Sequence, residues 1–371
     1  MQKNKELHIT YIGRLEKEKG IDILIECIDR SILEERNIIW HICGTGSYLQ
    51  KFKSYNKPYI LLYGYTQRDE LDILMKKTDL VLMPSLFLET FGLVALETLL
   101  RGVPVCGFPQ GGLQDFIHPL LALNIKNPVD SFFKILDKNE FPLLDVGDFS
   151  YELWIEKLSK ITEGSHKILL VTDYLGRIGG AEEYIYFLGD ELRGLGKEVE
   201  YWGCQRKVNR YMRIFYMFTA PLAFWRGISL SKKLQEYSPD LVWMHSIMRY
   251  IGPYGLAALS RYDCKKYITH HDLGLISPRP SKIYHQSDIP KTSNLGDWIS
   301  KNINILLVLF VLWKWLMVTW IWIFLKRDNI THILPSFWMQ KYFSLYGVND
   351  FIIFPHTSKI QSNQNVKKTN R

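Results

Sequence analysis

Cysteine is scarce. The five in this 371-residue chain (Cys27, Cys43, Cys106, Cys204 and Cys264) are odd in number and far apart, and none forms a Cys-x-x-Cys pair. That argues against a disulfide framework or a zinc site, and for a reducing compartment. An Asp-x-Asp motif is missing as well. So is an apolar leader: Met1 is followed by Gln-Lys-Asn-Lys-Glu, and the expectation is a cytoplasmic chain without a secretory signal. No short-period repeat occurs. A composition of 47% hydrophobic and 23% charged residues excludes a disordered chain, a collagen-like repeat and a coiled-coil rod. At roughly 150 residues per domain the length suggests two domains.

Acidic residues are short in one half only. Residues 1–165 carry 19 basic and 23 acidic side chains, whereas residues 166–371 carry 27 basic and 15 acidic, and together they give the formal charge of +8. The second half is therefore the one to meet an anionic partner. An acidic membrane surface fits better than nucleic acid, because basic residues with interleaved aromatics are not clustered outside one apolar run.

That run spans residues 303–325, with 20 apolar residues of 23 and only Asn304, Lys314 and Thr319 as exceptions. Its length reads as a transmembrane helix. Against a simple span stand Lys314 at its middle, where a charge in lipid is costly, and four tryptophans crowded into its second half. Strand-like pieces, Lys266–His270 before it and Thr331–Ser336 after it, look like parts of one sheet, which a single crossing would separate. An in-plane helix with Lys314 and the flanking cations reaching headgroups is the favoured expectation; an inserted helix and a buried core helix are the others.

Elsewhere, strand-like and helix-like pieces alternate. Strands are expected at 7–12, 38–43, 60–64, 80–84 and 103–107, with helices at 20–28, 70–77, 91–100 and 150–161. After Glu163-Gly164-Ser165 the pattern restarts, with strands near 167–173, 197–202, 241–245 and 267–271 and a helix over 181–194. Such alternation indicates parallel sheets with helices on both faces, hence an α/β fold. Residues 359–371, rich in Ser, Asn, Gln and Lys, read as a disordered tail.

Three strand ends in the first half carry candidate chemistry. Gly13-Arg14 through Lys19-Gly20 brings two cations to a strand-to-helix turn, a setting suited to phosphate. Gly44-Thr45-Gly46 is a second tight turn. Pro84 to Glu97 holds Glu89 just before a helix and Glu97 within it, with seven residues between them. Phe91-Gly92-Leu93 would offer free N–H groups at that helix start. Taken singly, Arg14 and Lys19 read equally as solvated charges, Glu89 as a cap and Glu97 as an exposed face.

In this order and spacing, followed by Arg101-Gly-Val-Pro-Val and Gly111-Gly112, these pieces resemble the donor-binding, C-terminal domain of retaining GT-B glycosyltransferases of the glycogen-synthase-like superfamily (glycosyltransferase family 4). The resemblance covers residues 7 to about 161. The second half resembles the family's N-terminal, acceptor-side domain: Lys167 to Asp173 and Gly179-Gly180 match its opening strand and loop, Ser238 to His245 its middle strand, and Thr269-His270-His271-Asp272 the segment that brings a histidine to the sugar. His245 reads first as a packed core histidine. Family order is reversed here, so the chain resembles a circular permutation cut in the interdomain linker; a fusion of two broken neighbouring genes would give the same order.

The resemblance implies two Rossmann-like domains: 1–163 for the donor, 164–358 with helix 303–325 for the acceptor. It implies that Arg14 and Lys19 neutralise the diphosphate, with Gly44 in the neighbouring turn. Glu97 would hold the ribose, Glu89 with the Phe91-Gly92-Leu93 backbone the transferred sugar, Gly179-Gly180 would admit the phosphates, and His271 would sit near the reacting carbon. The implied reaction is metal-independent transfer, with retention, from a nucleotide sugar to a lipid-linked acceptor, a polyprenyl-diphosphate saccharide or a glycolipid. No nucleic acid and no resident cofactor are expected, and the enzyme would be peripheral on the inner face of the cell membrane, at an anionic lipid surface. The competing expectations are a catalytically impaired, membrane-associated nucleotide-sugar-binding protein and a nucleotide-sugar epimerase.

Overall fold

The computed structural model describes residues 6–176, 180–205, 210–278, 288–292, 294–299, 305–327 and 329–359. Gly179 and residues 360–371 lie outside them. The chain divides into two units. The first holds residues up to Trp154 and those from His356 onward, and the second takes in the described residues from Ile155 to Pro355. The join expected at Glu163-Gly164-Ser165 is thus part of the second unit. Tyr267 Oη donates to the Ile161 carbonyl at 2.7 Å and Lys265 Nζ to the Glu163 carbonyl at 2.8 Å, which ties the join to a strand of that unit.

The first unit runs β1 (Leu7–Ile12), α1 (Ile21–Leu33), β2 (Ile38–Cys43), α2 (Leu49–Lys53), β3 (Ile60–Gly64), α3 (Arg68–Met75), β4 (Leu80–Met83), α4 (Leu93–Leu100), β5 (Val105–Gly107), α5 (Pro128–Lys138) and α6 (Tyr151–Ile161), the last crossing the unit boundary. The strands form one parallel sheet in the order β3-β2-β1-β4-β5. Side chains alternate across it. Ile9, Tyr11, Leu80 and Leu82 join a cluster with Trp40, Phe132 and Phe133, while Val81 and Met83 join another with Phe91, Phe116 and Leu99. Both faces are therefore buried, as a parallel sheet requires.

The second unit continues with β6 (Lys167–Tyr174), α7 (Gly180–Gly194), β7 (Glu198–Cys204), α8 (Arg210–Thr219), α9 (Phe224–Tyr237), β8 (Leu241–Met244), α10 (Gly252–Ser260), β9 (Lys265–Thr269), α11 (Leu295–Ile299), α12 (Ile305–Arg327), β10 (Ile330–Leu334), α13 (Phe337–Leu345) and β11 (Phe351–Ile353). The strands again run parallel, in the order β11-β10-β9-β8-β6-β7. Both sheets are of the α/β, Rossmann-like class.

The apolar run is α12, and its place follows from strand pairing. β9 and β10 are parallel neighbours, with Ile330 opposite Lys266 and Ile333 opposite Thr269. A parallel pair needs a crossover that carries the chain back to the starting edge, and α12 lies within it. By length and composition Val308–Lys326 could cross a membrane. In this fold one face of it is buried instead, through Val311, Lys314, Met317, Val318, Ile321 and Leu325. The spacing of three and four residues is that of a helix packed along one side.

Lys314 corrects an expectation. It does not reach outward to headgroups but is only 3% exposed. Its ammonium donates to the Ser277 carbonyl at 2.8 Å and the Pro278 carbonyl at 3.1 Å. Trp322 Nε1 donates to the Leu275 carbonyl at 2.9 Å, and Tyr346 Oη to the Ile276 carbonyl at 2.8 Å. Four successive carbonyls of a buried loop are thereby satisfied by side chains. A charge on an apolar helix makes sense here, because buried carbonyls without donors cost more than the lysine's desolvation when paired. Burial pushes the Lys314 ammonium down to about 8, with Asp272 opposing the shift, so the amine stays mainly charged at neutral pH.

Lys314→Met should leave the Ser277 and Pro278 carbonyls without donors, at roughly 1–3 kcal/mol for each buried group left unpaired. The second unit should melt earlier, with proteolytic nicking in the loop after β9. The pH dependence has a definite sign. A lysine whose folded value lies at about 8, below its ordinary 10.5, leaves the folded state with fewer protons across that window, so stability rises with pH there. Urea titrations at several pH values should show the rise in the parent and its loss in Lys314→Met.

Candidate active site

In an open parallel sheet, ligands sit beyond the carboxyl ends of the strands where the strand order reverses. In the first unit that point lies between β1 and β4. A cavity of about 280 Å³ opens there, lined by Tyr11, Gly13 and Arg14 from β1 and its turn, Lys19, Met83 and Ser85 from the end of β4, and Glu89, Gly92 and Leu93 at the start of α4. Five of the residues singled out from the sequence, Arg14, Lys19, Glu89, Gly92 and Leu93, therefore share one space. Tyr11 and Ser85 were missed. Tyr11 reads as an ordinary strand residue, and Ser85 as the polar end of a strand.

The charges in this cavity are already organised. Lys19 Nζ donates to Glu89 Oε1, and Ser85 Oγ donates to the same oxygen at 3.2 Å. Lys19 also lies 5.7 Å from the centre of the Phe87 ring. The exposed Arg14 guanidinium pairs with Glu18 at 3.4 Å. Tyr11 Oη donates to the Arg14 carbonyl at 2.7 Å and so fixes the turn; burial, with Glu89 nearby, pushes the phenol well above its usual value. Backbone N–H groups of Leu86 and Phe87 donate to the Glu18 carbonyl at 3.1 and 2.9 Å, stitching the loop after β1 to the loop after β4.

Two glycines are required by this geometry. A Cβ on Gly44, where φ is +151°, would lie 1.8 Å from the Gly13 carbonyl oxygen. Gly44 thus lets the turn after β2 lean on the turn carrying Arg14; it does not line the cavity. Gly92, with φ of +102°, is the N-cap of α4 and has no side chain to accept from the first-turn N–H groups, which helix geometry leaves without intrahelical partners. Gly112 N donates to the Glu89 carbonyl at 2.6 Å, which holds the glutamate segment in place.

Two expected residues stand apart from the cavity lining. The Phe91 side chain is buried among Phe116, Phe149 and His356, so only its backbone is left for binding. Glu97 lies further along α4 in a polar cluster of its own: its Oε1 accepts from Ser358 Oγ at 2.8 Å and faces Arg68 at 3.5 Å. Sequence spacing set the distance along the helix but could not show that residues near 358 return to this unit.

In the second unit, His245 follows β8 and His271 follows β9. His245 Nδ1 and His271 Nε2 are 3.0 Å apart, with the rings stacked and Tyr184 edge-on to His271 at 5.5 Å. Burial pushes His271 down to about 4, with Asp272 opposing, so the imidazole is neutral at physiological pH. Asp272 accepts from Gly274 N at 2.6 Å, turning the chain into the loop held by Lys314. Gly180 opens α7. Asp173, at the end of β6, reads in the sequence only as part of a strand, yet its carboxylate accepts from Arg249 N, Tyr250 N and Ile251 N at 2.8, 2.8 and 2.9 Å. It anchors the turn that leads into α10.

Asp173→Ala should destabilise the second unit by about 3 kcal/mol or more, since three backbone donors, at least one of them fully buried, lose their acceptor together. Chemical denaturation followed by tryptophan fluorescence measures this, and an unchanged midpoint would remove the anchoring role.

Residues 2–168 match the family model described as "Glycosyl transferases group 1". An uncharacterized glycosyltransferase of Methanocaldococcus jannaschii is 35% identical over 131 residues, 33% of this chain and 33% of its own. A glycogen synthase of Hydrogenovibrio crunogenus is 32% identical over 141 residues, 36% of this chain and 28% of its own. Among solved structures, Anabaena HepE in complex with UDP-glucose aligns with a TM-score of 0.32 and 19% identity, over 37% of this chain and 40% of that one. The chain spans about a third of the length of the first curated relatives it matches. Residues 2–168 are accordingly similar to the glycosyl transferases group 1 family, in a chain built of two parallel α/β sheets.

Proposed function

We propose that this chain is a glycosyltransferase that moves a sugar, with retention of anomeric configuration, from a nucleotide-sugar donor to a membrane-linked acceptor, a polyprenyl-diphosphate saccharide or a glycolipid. The observation that carries the donor half is the shared cavity at the β1/β4 switch point: two cations, a carboxylate and an uncapped helix start converge on a space of about 280 Å³. Cations and open N–H groups suit a diphosphate, and a carboxylate beside them suits sugar hydroxyls.

In this reading Arg14 and Lys19 offset the diphosphate charge. Lys19 already bears on Glu89, so one ammonium fixes the carboxylate and still has protons for a phosphate oxygen. Glu89 and the Gly92-Leu93 backbone hold the transferred sugar, and Glu97 with its Ser358 partner takes the ribose. The glycosidic bond to the diphosphate breaks as the acceptor oxygen bonds to the anomeric carbon on the same face, and the leaving diphosphate oxygen takes the acceptor proton. Catalysis is then positioning plus stabilisation of the leaving charge, without a metal. His271, neutral and paired with His245, acts as a hydrogen-bonding group toward the sugar and not as a cation. The enzyme works at the inner face of the cell membrane, and the reversed domain order is a circular permutation.

Release of nucleoside diphosphate from a panel of nucleotide sugars, with and without lipid acceptor, tests the reading. Glu89→Ala should lower turnover about 100-fold, and Lys19→Ala should raise the donor KM about tenfold, both with the fold intact by circular dichroism. Full activity in Glu89→Ala removes the site assignment, and nucleotide binding without turnover favours the impaired, binding-only protein. Because His271 protonates only near 4, the rate should show no His271-dependent step between pH 6 and 7; a step there that vanishes in His271→Gln contradicts its neutral role.

A further inference from the structure

α8 turns apolar side chains outward as well as inward. Ile214, Phe215 and Phe218 are 44%, 61% and 43% exposed, on the i, i+1, i+4 pattern of one helix face, while Tyr216 and Met217 point inward. The start of α9 continues the outward display, with Phe224, Trp225 and Ile228 each more than half exposed. α12 adds a stripe of its own: Leu309, Leu316 and Ile323 recur every seventh residue at 62%, 61% and 55% exposure, opposite the face that holds Lys314. The two displays meet where the Phe218 and Trp313 rings lie 4.7 Å apart. Contiguous apolar faces of this extent are not left to water without a partner.

We infer that α8, the start of α9 and the outer face of α12 form one docking surface for an anionic lipid bilayer. Charge selects the bilayer over a protein partner. From residue 201 to 235 the chain holds seven Lys or Arg and no Asp or Glu; Arg226 is buried and Lys232 and Lys233 pair with Glu236 and Glu200, while Arg210 and Arg213 lie on α8 itself. Lys326 and Arg327 close α12. Tryptophans 225, 313 and 320 are the ring type that favours the headgroup boundary. Beside α12, toward its buried face, a cavity of about 400 Å³ lined by Trp298, Trp315, Val318, Trp322 and Lys326 has room for an apolar chain and one cation to meet it. Lys314 and Trp322 fix the rotation of α12, so its apolar stripe stays outward. The inference deepens the membrane-acceptor reading above by naming the face that meets the lipid, and it is testable without any transfer reaction.

The test is flotation of the full chain with vesicles of phosphatidylcholine alone and of phosphatidylcholine mixed with phosphatidylglycerol. The parent should float with the mixed vesicles and much less with the neutral ones, and added salt should weaken binding. The pairs Phe215→Glu with Trp225→Glu, and Leu316→Glu with Ile323→Glu, should each cut the bound fraction about tenfold. All four positions are exposed, so melting curves should match the parent. The thermal shift given by nucleoside diphosphates should persist in both pairs, which separates failure of this surface from failure of the donor site. A parent that stays unbound with both vesicles, or variants that float like the parent, overturns the inference; so does self-association of the parent that the variants abolish while no vesicle binding is seen.

Discussion

Two strands lying side by side and pointing the same way decide most of the second unit. Once β9 and β10 pair in parallel, everything between them must carry the chain back across the sheet, and the longest helix of the described residues is part of that return. A 23-residue apolar helix has more hydrophobic surface than one sheet face can cover, and it divides in two. The inner face packs with α10 and α11 and supplies donors to a loop. The outer face keeps Leu309, Leu316 and Ile323 more than half exposed. Hydropathy reports the sum of the two faces; strand pairing tells them apart.

The same economy of satisfied carbonyls explains the polar residues of that helix. A lone lysine in an apolar helix is expensive unless its protons meet acceptors, and Lys314 meets two. Trp322 serves twice, donating to the Leu275 carbonyl and lying nearly parallel to His332, which pairs with His270. The loop after His271 and Asp272 is therefore fixed from the side of α12. A group expected to touch the sugar is only as well placed as the backbone that follows it, and that backbone is tied to the helix whose far face is apolar and exposed.

How much could be read from sequence differs by the range of the interaction. The donor-side turns were legible because a parallel sheet puts all its strand ends on one edge, so Arg14, Lys19 and Glu89 had to be near one another once their strands were recognised. The Lys19 pairing with Glu89 was not legible, since it depends on side-chain reach across a gap of seventy residues. Lys314 was misread for a related reason: its acceptors, 36 and 37 residues earlier, lie on a loop with no pattern of its own. β11 is only three residues long, too short for periodicity to register. α8 carries a clean helical stripe, and the stripe alone cannot say whether it faces a core or the outside. Cys27 and Cys106 are buried in the first core among apolar side chains.

Glu97 shows why the far end of the chain belongs in any account of the first unit. His356 sets its ring edge-on to Phe91 at 5.4 Å, Thr357 donates to the Phe149 carbonyl at 3.4 Å, and Ser358 donates to Glu97. Phe91 is the residue next to the α4 cap, and its ring stands between Phe116 and the returning segment. The start of α4, which presents the open N–H groups, is therefore packed partly by residues more than 250 positions later in the chain. Chain order and spatial order part company here. A unit whose helix start is held by its own distant terminus depends on that terminus for its geometry, because packing acts on neighbours in space and is indifferent to the direction from which the chain arrives.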